Sequence, residues 1–170
     1  TVISISIGQG EVNATPLQIA NLGATIANRG WFITPHVVKD IQDEELDSLY
    51  TTRRYTMSGR SNYNYVVQGM RQAVLNGTCK GANTPLYEVC GKTGTAQNPH
   101  GQDHSAFMGF APMDNPKIAI CVYVENGIWG ATFGVPIGAL MIEQYLTGGL
   151  SPESEEKAKS FEERHLITYQ

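Results

Sequence analysis

The sequence predicts an α+β fold, a small antiparallel sheet with helices packed on it, and three observations carry that reading. Ser105–Ala111 and Ile118–Glu125 are strand-like runs joined by Pro112-Met113-Asp114-Asn115-Pro116, a connection suited to an antiparallel hairpin. Within the second run, Ile118-Ala119-Ile120-Cys121-Val122 is continuously apolar, which predicts a central strand covered by helices on both faces. Helix start and stop signals recur before and after this pair of strands. With only three confident strands, part of the sheet is expected to be missing.

Taken in order, residues 1–7 alternate β-branched and small polar side chains, and Gly8-Gln9-Gly10-Glu11 turns the chain. Thr15-Pro16-Leu17-Gln18 then supplies a cap residue, a proline at the first helical position and a glutamine three residues after the cap. Leu17, Ala20, Ala24 and Ala27 recur at helical spacing, and Asn28-Arg29-Gly30 stops the helix. Small side chains along that face predict close packing. Trp31–Lys39 reads as extended, with Pro35 arguing against a central strand. From Gln42 to Arg60 the chain is polar and aperiodic, a surface excursion with room for a short hairpin.

A second helix is predicted from Ser61 or Asn62, with Val66, Val67, Met70, Ala73 and Val74 as its apolar face and Asn76-Gly77 as its end. The last helix of the core should start near Val135-Pro136, bury Ile137, Leu140, Met141 and Tyr145, and break at Gly148-Gly149. Beyond Pro152 the charged residues Glu155, Glu156, Lys157, Glu162, Glu163 and Arg164 suit a solvated helix or disorder. The chain therefore divides into a domain over 1–149 and a charged tail over 150–170.

Composition excludes several function classes. At 170 residues the chain fits one domain by the usual size of about 150 residues. A net charge of −4 offers no basic footprint for nucleic acid. No apolar run approaches the roughly 20 residues of a membrane span, and no stretch of these residues is expected to act as a signal peptide. The chain opens on Thr1 rather than on an initiating methionine, as if cut from something longer. Cys79, Cys90 and Cys121 lack metal-ligand spacing, and an odd count forbids full pairing within the chain.

The chemistry concentrates in Cys90-Gly91-Lys92-Thr93-Gly94-Thr95-Ala96-Gln97, with Tyr87–Cys90 alternating ahead of it as a half-buried strand does. An ammonium, two hydroxyls and a bare glycine on one strand edge make a receptor for an anionic carbonyl compound. Taken alone, four such residues read more simply as a strand ending in a polar turn. His100, Asp103 and His104 cluster, but a polar loop explains them better than a metal site does, and no metal or cofactor is expected. His104 is a candidate to face the substrate from the start of its strand. Glu11 reads as a cap or turn residue. Cys90 shares a strand face with Lys92 and reads as core packing rather than a reactive thiol.

Four motifs in order carry a resemblance: Ser6-Ile7-Gly8-Gln9-Gly10-Glu11, Ala14-Thr15-Pro16-Leu17-Gln18-Ile19-Ala20, Lys92-Thr93-Gly94-Thr95-Ala96-Gln97 and Phe107-Met108-Gly109-Phe110-Ala111-Pro112. Together they resemble class B penicillin-binding transpeptidases of the elongation type, over roughly residues 1–147 with 42–60 unmatched. The resemblance implies the fold shared by serine β-lactamases and penicillin-binding transpeptidases, here its C-terminal part. These enzymes and the related β-lactamases are generally described by three motifs: Ser-x-x-Lys with the nucleophile, Ser-x-Asn, and Lys-Thr-Gly. Only the third stands here in context. The single Ser-x-x-Lys match, Ser154-Glu155-Glu156-Lys157, follows Lys-Thr-Gly instead of preceding it and reads as a chance match, and Ser-x-Asn does not occur.

Carried over residue by residue, the resemblance implies that Lys92 raises the positive potential and assists proton transfer to the leaving amine. It implies that the Thr93 and Thr95 hydroxyls hold the carboxylate of a D-Ala-D-Ala stem peptide or of a β-lactam. The Thr95 N–H would supply half of the oxyanion hole, and Gly94 would keep the strand edge bare. The implied protein is a peptidoglycan D,D-transpeptidase on the periplasmic face of the bacterial inner membrane, anchored by an N-terminal helix outside this chain. Its implied partners are the stem peptide, β-lactams and a membrane glycan polymerase of the elongation machinery. This chain alone is expected to be inactive. A serine β-lactamase and a non-catalytic β-lactam-sensing domain of the same fold are the competing expectations.

Overall fold

The computed structural model describes residues 2–6, 8 and 10–164. Ile7 and Gln9 of the first motif, and residues 165–170 of the tail, lie outside the described residues. Its helices are α1 (Val2–Ser6), α2 (Pro16–Ala27), α3 (Ser48–Thr51), α4 (Arg60–Leu75), α5 (Gly134–Thr147) and α6 (Pro152–Glu162). Its strands are β1 (Trp31–Phe32), β2 (Arg54–Tyr55), β3 (Cys90–Ala96), β4 (His104–Ala111) and β5 (Ile118–Val124). The last three form an antiparallel sheet in the order β3-β4-β5, so the expected α+β architecture is present.

Register explains how the two faces of the sheet differ. Cys90 pairs with Phe110 and Lys92 with Met108, while Thr93 pairs with Phe107 and Thr95 with Ser105. On one face Cys90 and Phe110 join Ile26 and Ala27 of α2 and Val67 and Met70 of α4 in a buried cluster. On the other, Phe107, Ile120 and Val122 pack with Val135 and Ile142 of α5, together with Val74, Cys79 and Val89. The sheet is thus a layer between α2 and α4 on one side and α5 on the other.

The local signals at α2 hold in detail. Thr15 Oγ1 accepts from the Gln18 N–H at 3.3 Å, and the Thr15 N–H donates to Gln18 Oε1 at 2.8 Å, a reciprocal capping box. Pro16 opens the helix and Arg29, in the left-handed region at φ 59°, leads the chain out of it. The buried side is Gly23, Thr25, Ile26 and Ala27; of the expected stripe Ala27 is buried, Ala20 and Ala24 are half-buried and Leu17 is exposed. Gly23 decides this, because a Cβ there would stand 3.2 Å from Met108 Cγ.

Five further expectations are corrected. Residues 2–6, whose alternation suits a strand, are helical. The strand carrying Lys-Thr-Gly begins at Cys90, after the alternating residues expected to open it. In α4 the buried residues are Val67, Met70 and Val74, while Val66 faces outward. In α5 the buried stripe is Val135, Gly138 and Ile142, and Met141 and Tyr145 are exposed. Finally β4, not β5, is the central strand: both faces of β5 are covered, but among the described residues its outer edge has no partner. An apolar run reports covered faces, whereas centrality is a matter of hydrogen-bonding neighbours. The excursion returns as β2, which pairs antiparallel with β1.

The Phe107 ring fixes the distance between sheet and α5. It is fully buried, and Cβ atoms built on Gly91, Gly109 and Gly138 would stand 2.4, 2.5 and 2.5 Å from it. Gly91→Ala should therefore cost about 1–3 kcal/mol through overpacking. Gly69→Ala, in the middle of α4 with nothing within 4 Å of the new methyl, should instead stabilise by about 0.5–1 kcal/mol through helix propensity. Denaturant midpoints of the two variants are expected to move in opposite directions.

Candidate active site

Lys92–Ala96 lies on an edge of the sheet, since β3 pairs only with β4 among the described residues. Strand alternation places Lys92 and Gly94 towards α2 and α4, and Thr93 and Thr95 towards α5. The one surface these residues share is the open edge, so a ligand that meets all of them must lie along it. Lys92 is exposed, and its Nζ donates to the Thr93 carbonyl at 2.8 Å. The Thr93 hydroxyl is 2.7 Å from the hydroxyl of Thr78, in the turn after α4. Thr78 was not legible as a site residue, because its only local signal is its place after the Asn76-Gly77 stop.

Beside the strand is a cavity of about 610 Å³. Gly94, Thr95 and Gln97 line one side of it, and Gly10, Asn13 and Ile19 line another. The fold thus brings the first two sequence motifs against the third. Tyr123 of β5 also lines this cavity, a contribution that its place in an apolar run concealed. A separate apolar groove of about 560 Å³ between Leu17, Val38, Ile41 and Tyr50 lies against the excursion, away from Lys92.

Other sequence candidates are placed as follows. His104 pairs with Ala96 in register, and its ring packs on Tyr123 with centroids 5.5 Å apart. His104 Nδ1 accepts from the Asn126 N–H at 3.1 Å, so the neutral ring carries its proton on Nε2. His104 therefore ties the end of β4 to the turn after β5 and reaches the cavity only through Tyr123. Asp103 Oδ1 accepts from the Asn98 N–H at 3.2 Å, and Glu11 is exposed. The Ser154 hydroxyl donates to Glu143 Oε2 at 2.6 Å, and Ser154 lines a different cavity with Tyr87 and Lys157. Its match to Ser-x-x-Lys is the docking contact of a helix.

All three cysteines are free thiols. Burial pushes Cys90 up to about 12, against the lowering influence of Arg71 and Arg29. Burial also raises Cys79, opposed by the Thr78 hydroxyl and the nearby charge of Lys92, and raises Cys121. Cys90 thus packs in the core beside the site and is not a nucleophile at neutral pH.

A family model for the penicillin binding protein transpeptidase domain matches residues 2–138. The chain belongs to the penicillin-binding transpeptidase family. It is 39% identical over 152 residues to the peptidoglycan D,D-transpeptidase MrdA of Acinetobacter baumannii, covering 76% of this chain and 22% of that protein. The crystal structure of Pseudomonas aeruginosa PBP2 in complex with WCK 5153 superposes with a TM-score of 0.74 at 35% identity, over 89% of this chain and 34% of that one. The imipenem acyl-enzyme complex of penicillin-binding protein A from Mycobacterium tuberculosis gives a TM-score of 0.69 at 33% identity, over 83% and 33%. These relatives bear out the elongation-type class B assignment and the transpeptidase fold. The chain spans about a fifth to a third of the length of each.

The neutral Cys90 thiol makes stability depend on pH. Its folded value lies above the ordinary 9.0, so its contribution is complete below pH 9 and is lost as pH rises towards about 12. Denaturant midpoints measured from pH 8 upward should fall progressively above pH 9. Cys90→Ala should flatten that fall, leaving the smaller slopes from Cys79 and Cys121.

Proposed function

We propose that this chain supplies the Lys-Thr-Gly wall of a peptidoglycan D,D-transpeptidase, as the C-terminal part of its transpeptidase domain. The observation that carries the reading is the open edge of β3: it carries an ammonium, two hydroxyls and a glycine, and its Gly94 and Thr95 border a cavity lined on another side by residues of the first two family motifs. A stem peptide ending in D-Ala-D-Ala, or a β-lactam, lies along this edge as an added strand, so that backbone groups give affinity and side chains give selectivity. Its carboxylate meets the Thr93 and Thr95 hydroxyls, with the Thr78 contact holding Thr93 in place. The Thr95 N–H faces the developing oxyanion. One such donor is typically worth about 100- to 1000-fold in rate.

Lys92 turns from the Thr93 carbonyl towards the ligand and assists proton transfer to the leaving amine. The nucleophilic serine comes from a Ser-x-x-Lys motif outside this chain: an acyl-serine forms as D-Ala leaves, and the amine of a neighbouring stem peptide resolves it. Gly94 keeps the strand edge bare so that the backbone of the bound stem peptide can lie beside it. The complete protein works at the periplasmic face of the inner membrane with a glycan polymerase. No helix among the described residues is long and apolar enough to cross a membrane. The transpeptidase identity of the relatives favours cross-linking over β-lactam hydrolysis and over non-catalytic sensing.

In the complete enzyme, Lys92→Ala should slow acylation by penicillin about 100-fold or more, as expected for loss of a proton-transfer group. Its melting temperature should hardly move, because Lys92 is exposed. Parental acylation of that variant would remove Lys92 from the site. The 170-residue chain incubated with excess penicillin should keep an unshifted intact mass, whereas the complete enzyme gains one adduct. A stoichiometric adduct on the short chain would place a nucleophile inside it.

A further inference from the structure

Helix α6 lies beyond the residues matched by the family model, yet both of its ends are tied to the rest of the fold. At its start, the Ser151 N–H and the Ser154 hydroxyl donate to the two carboxylate oxygens of Glu143 on α5, at 2.8 and 2.6 Å. At its end, Phe161 meets Phe133 with ring centroids 5.7 Å apart. The Arg164 guanidinium lies over both rings, 5.4 Å from Phe133 and 4.9 Å from Phe161. Phe133 is the N-cap residue of α5 and is buried.

From Phe133 to the site strand the path is short. The Gly134 N–H donates to Ser105 Oγ at 3.0 Å, and the Ser105 hydroxyl donates to the Trp129 carbonyl at 2.8 Å. Ser105 stands opposite Thr95 in the sheet. The Val135 N–H donates to the Gly130 carbonyl at 2.9 Å. A Cβ on Gly130 would come within 2.8 Å of Thr93 Cβ and 2.9 Å of the Gly94 carbonyl. Residues 129–134 are therefore the backing of the strand at Thr93–Thr95. The approach to this segment is strained: Ile128 has φ 64°, a left-handed conformation that a β-branched residue keeps only where its surroundings enforce it. Its N–H is held by the Asp103 carbonyl at 2.7 Å.

We propose that α6, through Phe161 and Arg164 stacked on Phe133, braces residues 129–134 against the Lys-Thr-Gly strand and so positions the Thr95 N–H and the two threonine hydroxyls. Phe161 and Arg164 are positioning residues, and their role in catalysis rests on the transpeptidase reading above. Among the described residues β3 is paired with a strand on one side only, so its lateral position depends on what stands behind it. A helix that only covered apolar surface would affect stability and leave the strand where it is.

Hydrogen exchange on the 170-residue chain tests the brace directly, with Phe161→Ala, Phe161→Tyr and the parent compared. Phe161→Ala should speed exchange over 129–134 and 92–96 while α2 and α4 keep their protection. Phe161→Tyr, which retains the ring, should restore it. In the complete transpeptidase, Phe161→Ala should lower the limiting penicillin acylation rate about tenfold, as small misplacements of positioned groups do. The dissociation constant of the initial complex should change much less. Unchanged exchange over 92–96 with α6 undocked overturns the brace, and so does Phe161→Ala acylating at the parental rate. A parent enzyme that penicillin does not acylate sinks the transpeptidase reading instead, and the exchange result still decides the brace.

Discussion

The Phe107 ring, caged by Gly91, Gly109 and Gly138, holds this domain together. A fully buried phenylalanine side chain contributes up to about 3 kcal/mol by leaving water, and its truncation costs more because of the cavity left behind. Its larger effect here is geometric. Side chains on any of the three glycines would lift α5 from the sheet or part β3 from β4. The ring needs all three surfaces bare, so it sets where α5 sits and how closely β3 follows β4. Phe107 stands directly across from Thr93, so the residue that locks the core lies one strand from the residues that would grip a carboxylate.

That arrangement explains how a polar strand survives at the edge of a small sheet. Exposed edges invite unwanted pairing, and a lysine is a common defence. On β3, Lys92 stands on that edge as such a defence, and on the proposed reading Gly94 and the threonines would leave the edge open to one selected strand. Among the described residues no strand pairs with the outer edge of β3, so its position comes from β4 and from the elements packed behind it. Phe107, the Thr78–Thr93 hydroxyl contact and the Gly130 approach all act from the α5 side.

What the sequence made legible follows from how local each signal is. The capping box at Thr15 and Gln18, the stop at Asn76-Gly77 and the hairpin from β4 to β5 are decided within a few residues, and all stand. Lys92, Thr93 and Gly94 were legible as neighbours on one strand, which they are. Helix faces were legible only in part. Counting apolar residues selects Leu140, Met141 and Tyr145 in α5 and Leu17 in α2, but the sheet is met by Gly138 and Gly23, where a missing side chain makes room. Hydropathy gives such glycines no weight. Thr78 and Tyr123 reach the site through long-range packing, which no local pattern records. The tail is the solvated helix that its many charges suggested, with no buried residue, but its docking through Ser154, Phe161 and Arg164 was not legible.

The sheet has two open edges among the described residues, and their chemistry differs. Along β3 the exposed groups are an ammonium, hydroxyls and backbone, the kind of surface that binds a polar ligand and releases it. Along β5 the neighbouring groove of about 650 Å³ is lined by Ile118, Leu140, Met141, Tyr145 and Leu150, with the Gln144 amide and the Tyr145 hydroxyl as its polar side-chain groups. The helix face that periodicity selected in α5 is this exposed apolar one, and the run that predicted a central strand is β5 itself. Both expectations describe a strand and helix patterned for burial, in a chain that spans only part of its relatives. Apolar patterning of that kind suits lasting packing, whereas the polarity of the β3 edge suits turnover, so composition alone separates the edge that would work from the edge that would hold.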